Sequence, residues 1–371
     1  MPLTLGPLSS TLSGLSSGNP GVATRPNPRP CLVTGATGLL GSHIAEKLVA
    51  RGDRIRALVR PGSRTAFLEN LGVELVVGNL ADADSVSRAV RGVDDVYHCA
   101  AKVGDWGDWR EFQVDCLDAT NRLALASIEA GIGRFLHISS TSAYGHPPEG
   151  SPPIDESAAL GQRLWPVWDY YTRSKVDCER MLWRMHAADG LPLTVIRPSW
   201  LYGERDRTTL ERLVGRLRAG KVPLIGPGDN PLSAIYAGNV ADAAILAARD
   251  PGSVGEAYNI THQGQITQRE FLTLFARASG APIPSRHVSY PVVFGVAFLL
   301  EALGRLGRRR RPPLITRYAT WLMGRSLSYS TEKATARLGW NPALGNRESI
   351  ERSVRWFLAR DETTPAGSPR A

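Results

Sequence analysis

The sequence predicts an α/β fold, a doubly wound parallel sheet with a smaller C-terminal substrate-binding lobe, from three observations. An apolar run, Cys31-Leu32-Val33, leads directly into Thr34-Gly-Ala-Thr-Gly-Leu-Leu-Gly41, with glycines at 35, 38 and 41. Apolar strand patterns then alternate with helical patterns as far as Pro198, and such alternation demands crossovers and a parallel sheet. After Pro198 the pattern loosens into mixed helix and loop, which reads as a smaller lobe interleaved with returning strands.

The first strand ends at the glycine turn, and a helix over Leu39–Arg51 opens from it. Glycine lets the backbone turn sharply and come close to a pyrophosphate. The helix N-terminus then offers free N–H groups and positive dipole to phosphate oxygens. Glycine-rich turns are common, but a strand before and an amphipathic helix after make this one specific. Gly35, Thr37, Gly38, Leu39, Leu40 and Gly41 are therefore the expected phosphate-side contacts of a dinucleotide.

Further along, Arg54–Val59 reads as the second strand and Glu74–Val77 as the third. Asp82–Val90 reads as a helix capped by Asp82. Asp95–Cys99 is the fourth strand, Phe112–Ala130 a long helix ended by Gly131, and Arg134–Ser139 the fifth strand. A second long helix spans Asp169–Ala188 and ends at Gly190. Leu193–Arg197 is the sixth strand, stopped by Pro198, and Gly255–Ile260 looks like a returning one. These elements divide the chain into a disordered tail (1–29), a dinucleotide-binding Rossmann domain (30–200), a substrate lobe (201–358) with an apolar segment at 288–306, and a second disordered tail (359–371).

Composition narrows the function. Of the 371 residues, 43% are apolar and 21% charged, ordinary for a globular protein. Cys31, Cys99, Cys116 and Cys178 have no C-x-x-C or metal-ligand spacing. They predict reduced thiols, no metal and a cytoplasmic setting. Residues 1–29 are rich in Ser, Gly, Pro and Thr and lack a basic stretch followed by a continuous apolar run, so no signal peptide is expected. The net charge of +9 is concentrated, with five arginines within 305–311. A cluster beside an apolar segment points to anionic lipid or a solvated loop. The basic residues are neither interleaved with aromatics nor spread along a face, which argues against nucleic acid.

Tyr171 and Lys175 form Y-x-x-x-K inside the second long helix, and residues four apart share a helical face. A phenol titrates near pH ~10, and a lysine cation beside it favours the phenolate, so the pair can exchange a proton closer to neutral pH. Ser139-Ser140-Thr141-Ser142 ends the fifth strand, at the sheet edge where ligands bind such folds. A hydroxyl there either holds a substrate oxygen or caps the next loop.

Together these features resemble the extended short-chain dehydrogenase/reductase (NAD-dependent epimerase/dehydratase) family over about residues 31–358. The motifs are Thr34–Gly41, Val-Tyr-His-Cys-Ala-Ala (96–101), Ile-Ser-Ser-Thr-Ser-Ala-Tyr-Gly (138–145), Tyr171 with Lys175, and Ile-Arg-Pro-Ser-Trp-Leu-Tyr-Gly (196–203). Tyr-Ala-Gly-Asn-Val-Ala-Asp-Ala (236–243) and Leu-Gly-Trp-Asn-Pro (338–342) make the chain look most like the 3β-hydroxysteroid dehydrogenase branch. The resemblance implies Tyr171 as catalytic acid/base, Lys175 as its tuner and ribose contact, and Ser140 as the substrate-orienting hydroxyl, with Thr141 as fallback. Ala100 and Ala101 would line the adenosine side, with Asn79 and Leu80 near the base, and Pro198 and Ser199 would meet the carboxamide. It also implies dimerisation through the helices Phe112–Ala130 and Asp169–Ala188. Two positions depart from the pattern: Asp115 stands where an Asn is usual, and Asn79 where an Asp often contacts adenine.

Cofactor choice follows from charge. NAD enzymes keep an acid at the end of the second strand for the ribose hydroxyls. Here that position is Arg60, 19 residues past Gly41, with Arg64 close behind. Arginine pairs with a 2′-phosphate, which favours NADP; if Arg60 only stacks on adenine, NAD is used.

Residues 291–300 are apolar, and the stretch continues past Glu301 to Leu306. It is shorter than the ~20 residues of a bilayer span. Three readings stand: a core helix, a lid over a bulky apolar substrate, or a peripheral membrane contact through 291–311. The leading function is hydride transfer between NAD(P) and a secondary alcohol or ketone of a hydrophobic, sterol-like substrate, as in steroid biosynthesis. The alternatives are a nucleotide-sugar epimerase or dihydroflavonol-type reductase, or a non-catalytic NADP sensor. Dehydratases of the family follow the hydroxyl with Asp-Glu, whereas Thr141-Ser142 stand here; sensors of this type lose the Tyr/Lys pair, which this chain keeps.

Overall fold

Seven parallel strands form the main sheet of the computed structural model, which describes residues 28–102, 104–207, 209–262 and 266–363. Most of the expected N-terminal tail, and the C-terminal one past 363, lie outside the described residues. The strands are β1 (Pro30–Thr34), β2 (Arg54–Val59), β3 (Glu74–Val77), β4 (Asp95–His98), β5 (Arg134–Ile138), β6 (Leu193–Pro198) and β7 (Glu256–Ile260). Their spatial order is β7-β6-β5-β4-β1-β2-β3. The order reverses between β1 and β4, and a doubly wound sheet opens its ligand crevice at that point, beyond the carboxyl ends of the strands.

Covered on both faces, β4, β5 and β6 are buried at every residue, and they are rich in apolar side chains but also bury Asp95, His98, Arg134, His137, Thr194 and Arg197. One face packs on helices α1 (Leu39–Ala50) and α5 (Ala237–Arg249) through Ile44, Leu48, Val240 and Ala244. The other packs on α2 (Ala83–Val90), α3 (Ala119–Glu129) and α4 (Tyr170–Asp189) through Val86, Leu123 and Leu182. Asp82 caps α2, accepting from Ser85 N–H at 3.1 Å.

Three local readings change. The helix expected from Phe112 starts at Trp109 and passes through a π-helical stretch, Gln113–Asp118, before α3. Its true start carries a capping signature, with Asp108 N–H donating to Glu111 at 3.3 Å. Strand β6 includes Pro198 instead of stopping before it. Ser199 N–H bonds Ile260 on the β7 side, so position 198 faces β5, which has already ended at Ile138, and no ladder bond is lost. At the C-terminus a helix runs over Asn346–Thr363, so 359–363 are helical where a tail was expected.

Beyond β6, α5 and β7 return to the main sheet. The rest of the C-terminal region gathers around Tyr202, Phe271, Phe275, Ile350 and Val354. A helical hairpin, α6 (Tyr290–Leu306) and α7 (Arg317–Gly324), lies over the crevice side.

Candidate active site

The glycine turn follows β1 and meets the end of β4. Gly35 has φ +68°, in the left-handed region, and a Cβ there would lie 2.8 Å from Ala100 N. A Cβ on Gly41 would collide with the Gly35 carbonyl. Gly38 caps α1 with no side-chain hydrogen bond, and the first turn carries no acid. The first N–H groups of α1 therefore remain for an outside acceptor, with Gly38 exposed and Thr37 and Leu39 half-buried. This cradle fits a pyrophosphate. The Leu40 side chain is buried in the core, so only its backbone faces the crevice. Gly35→Ala is expected to weaken dinucleotide binding by about tenfold or more, measured by calorimetric titration with NADPH and NADH; unchanged affinity would count against this cradle.

His98 holds the turn in place. Its Nδ1 pairs with Thr34 Oγ1 and its Nε2 with Thr120 Oγ1, both at 2.8 Å. Burial pushes its pKa down to about 3, so the ring is neutral and donates through one nitrogen while accepting through the other. Thr34 Oγ1 also accepts from Ala100 N–H at 3.3 Å. Ala100 and Ala101 are half-buried at this end of the crevice.

At the end of β5, Ser140 opens a short 3₁₀ turn, Thr141–Tyr144, and its oxygen accepts from Ser142 N–H at 3.1 Å. Its own proton stays available to an outside oxygen. Thr141 is buried in that turn. Helix α4 carries Tyr171 and Lys175. The Tyr171 hydroxyl makes no hydrogen bond among the described residues, and its ring meets Tyr318 of α7 edge-on at 5.2 Å. Lys175 is buried, donates to the Ile138 carbonyl at 3.3 Å, and pairs with no carboxylate among the described residues. An ammonium has three donors, so two remain.

Behind these groups runs a buried polar chain that sequence reading missed. Glu179, one turn after Lys175, accepts from Ser139 Oγ, from Arg197 Nη2 at 2.7 Å and from Arg197 Nε at 3.1 Å. Arg197 Nη1 donates to Tyr144 Oη at 2.7 Å, and Tyr144 donates to Asn259 Oδ1 at 2.8 Å. Burial lowers the Arg197 pKa, but Glu179 and Tyr144 outweigh it and hold the guanidinium charged. Burial pushes the Tyr144 phenol up to about 12. This chain ties the ends of β5, β6 and β7 to α4. Pro198 is buried beside it, and Ser199 Oγ donates to Thr261 Oγ1 at 3.0 Å.

The roof is aromatic and basic. Trp165 stacks on His146 with centroids 3.9 Å apart, while Asp169 bonds His146 Nε2 at 2.8 Å and Trp165 N–H at 3.0 Å. Glu301 of α6 accepts from Arg317 Nε at 2.8 Å. Arg305 covers the rings of Trp106, Trp168 and Tyr170. A cleft of about 500 Å³ opens beside this roof, lined by His146, Trp165, Tyr290, Phe294, Trp321 and Arg325 among others.

Other predicted residues fall differently. Arg60 and Arg64 are exposed after β2, and their side chains form no hydrogen bond or ion pair among the described residues. Asn79 Oδ1 accepts from Ala81 N–H at 3.0 Å, its side-chain N–H groups have no partner among the described residues, and Leu80 is half-buried beside it. Asp115 does not occupy the family's Asn position. In Asn-Val-x-Gly-Thr the Asn stands four before the Thr, and four before Thr120 is Cys116. Cys116 is buried and accepts from Lys102 N–H at 3.4 Å, whereas Asp115 is exposed on the π-helical stretch.

Comparison with known proteins gives the family and agrees with the fold. The model of the NAD dependent epimerase/dehydratase family matches residues 31–261. A 2-alkyl-3-oxoalkanoate reductase from Stenotrophomonas maltophilia is 31% identical over 332 residues, covering 86% of this chain and 97% of the relative. Sterol demethylase protein B from Methylococcus capsulatus is 31% identical over 346 residues, covering 89% and 98%. The crystal structure of DesIV, a dTDP-glucose 4,6-dehydratase from Streptomyces venezuelae, superposes with a TM-score of 0.72 at 23% identity, over 90% of this chain and 98% of that one.

Proposed function

Because the chain belongs to the NAD dependent epimerase/dehydratase family, we propose that it is a reductase or dehydrogenase acting on a secondary alcohol or ketone of a bulky apolar compound, with sterol-like substrates first. The observation that carries this reading is Tyr171, whose hydroxyl is unengaged one helical turn before a buried lysine that no carboxylate among the described residues neutralises. The aromatic cleft beside the roof supports an apolar substrate, as do relatives named for an oxoalkanoate reductase and a sterol demethylase protein.

A nicotinamide dinucleotide, when bound, supplies or takes up the hydride. In the reducing direction Tyr171 gives its phenolic proton to the substrate oxygen, and Lys175 stabilises the phenolate left behind. The Ser140 hydroxyl donates to the same oxygen and holds it near Tyr171. The first N–H groups of α1 bind the pyrophosphate. Turnover of ketosteroids, 3β-hydroxysterols and UDP-sugars tests the reading. Net oxidation or reduction of a sterol-like compound supports it, and conversion of a UDP-sugar with no net cofactor change replaces it with epimerisation.

NADP is the proposed cofactor, because Arg60 and Arg64 lie exposed, their side chains unpaired among the described residues, where an acid would reject a 2′-phosphate. Arg60→Ala is expected to weaken NADPH binding by about 10- to 100-fold, the worth of a charged hydrogen bond, with NADH little affected. Tighter binding of NADH than NADPH by the unaltered protein would end the NADP reading.

A further inference from the structure

We propose that the outer face of α6 and the arginine run after it form a docking surface for an anionic phospholipid bilayer. Val292, Val296, Leu299, Leu303 and Leu306 are between 47% and 84% exposed. Their spacing of four, three, four and three residues puts them within an arc of about 80° on a helix turning ~100° per residue. The opposite face is occupied: Val293 and Ala297 are buried, and Glu301 pairs with Arg317. Glu301, which interrupts the apolar run in sequence, therefore leaves the outer stripe unbroken.

The residues after the helix say what covers this stripe. Arg308, Arg309, Arg310 and Arg311 are all exposed, and their side chains form no ion pair among the described residues. Leu314 follows them at 75% exposure. Arg305 is separate from this group, since it turns inward over Trp106 and Tyr170. Leucines beside unpaired arginines match the acyl boundary and phosphate layer of an anionic membrane. The helix has 17 residues, and no helix among the described residues is long and apolar enough to cross a membrane. It therefore lies in the interface plane. At its N-terminal end Tyr290 and Phe294 line the aromatic cleft, which docking brings beside the bilayer surface. Neither the stripe nor the arginine run takes part in the chemistry proposed for Tyr171 and Lys175, so the surface stands whatever the substrate proves to be.

Co-sedimentation of the full chain with vesicles of phosphatidylcholine, alone or mixed with phosphatidylglycerol, tests the surface. Binding is expected to the mixed vesicles and to weaken as salt rises. R308Q/R309Q/R310Q/R311Q is expected to cut partitioning by about 1000-fold, and L299E/L303E to abolish it. Dinucleotide affinity and thermal unfolding report whether each variant is folded. V292Q/V296Q, on the same face, is the second apolar variant and is expected to weaken binding as well. The proposal is overturned if the unaltered chain does not sediment with mixed vesicles, or if folded stripe variants sediment as well as it does. It is also overturned if the stripe variants dissolve a self-associated species while vesicle binding is absent.

Discussion

Tyr171→Phe is expected to lower kcat by about 10²- to 10⁴-fold, the usual contribution of a positioned acid/base. The substitution keeps the ring that meets Tyr318 edge-on. The lost hydroxyl has no partner among the described residues, so no buried group is left unsatisfied and the fold should be unaffected. The expected signature is turnover lost while the dinucleotide still binds and the melting temperature holds. It is read from the change in nicotinamide absorbance with the substrate panel, together with thermal unfolding. Turnover indifferent to this change would remove Tyr171 from the chemistry.

Glu179→Ala is expected to destabilise the fold by about 3–5 kcal/mol, because it strands a buried guanidinium. Arg197 has 4% side-chain exposure and Glu179 none. Besides Glu179, the guanidinium bonds the Tyr144 phenol, which burial keeps neutral. Glu179→Gln keeps the shape and an acceptor for Ser139, and should cost less. Urea unfolding of both variants measures the difference. A loss below ~1 kcal/mol for Glu179→Ala, the range of an exposed pair, would show that the chain through Ser139, Arg197 and Tyr144 is dispensable. Activity should fall further than stability explains, because Ser139 precedes Ser140 and Arg197 precedes Pro198 and Ser199.

The elements that form the crevice were legible one at a time. Strand periodicity located β1 to β7 to within a residue or two, and the glycine spacing located the start of α1. The start of the helix at Trp109 is legible too, in the Asp108…Glu111 capping pair. The π-helical stretch was not legible, because a change of hydrogen-bond register leaves no mark on hydrophobic spacing.

Local chemistry written along the chain therefore determined the strand order's raw material, the phosphate turn, the Tyr171–Lys175 pair and the basic residues after β2. Those features depend on neighbours within a few residues, which any reading of spacing can see. The tertiary structure decided which distant side chains meet. Glu179 finds Ser139 and Arg197 from separate strands, His98 bridges Thr34 and Thr120, and Glu301 turns inward to Arg317 and leaves a leucine stripe facing outward. Burial and pairing arise only when segments far apart in sequence are brought together, so a charge inside an apolar run is an interruption in sequence and a buried anchor in the fold.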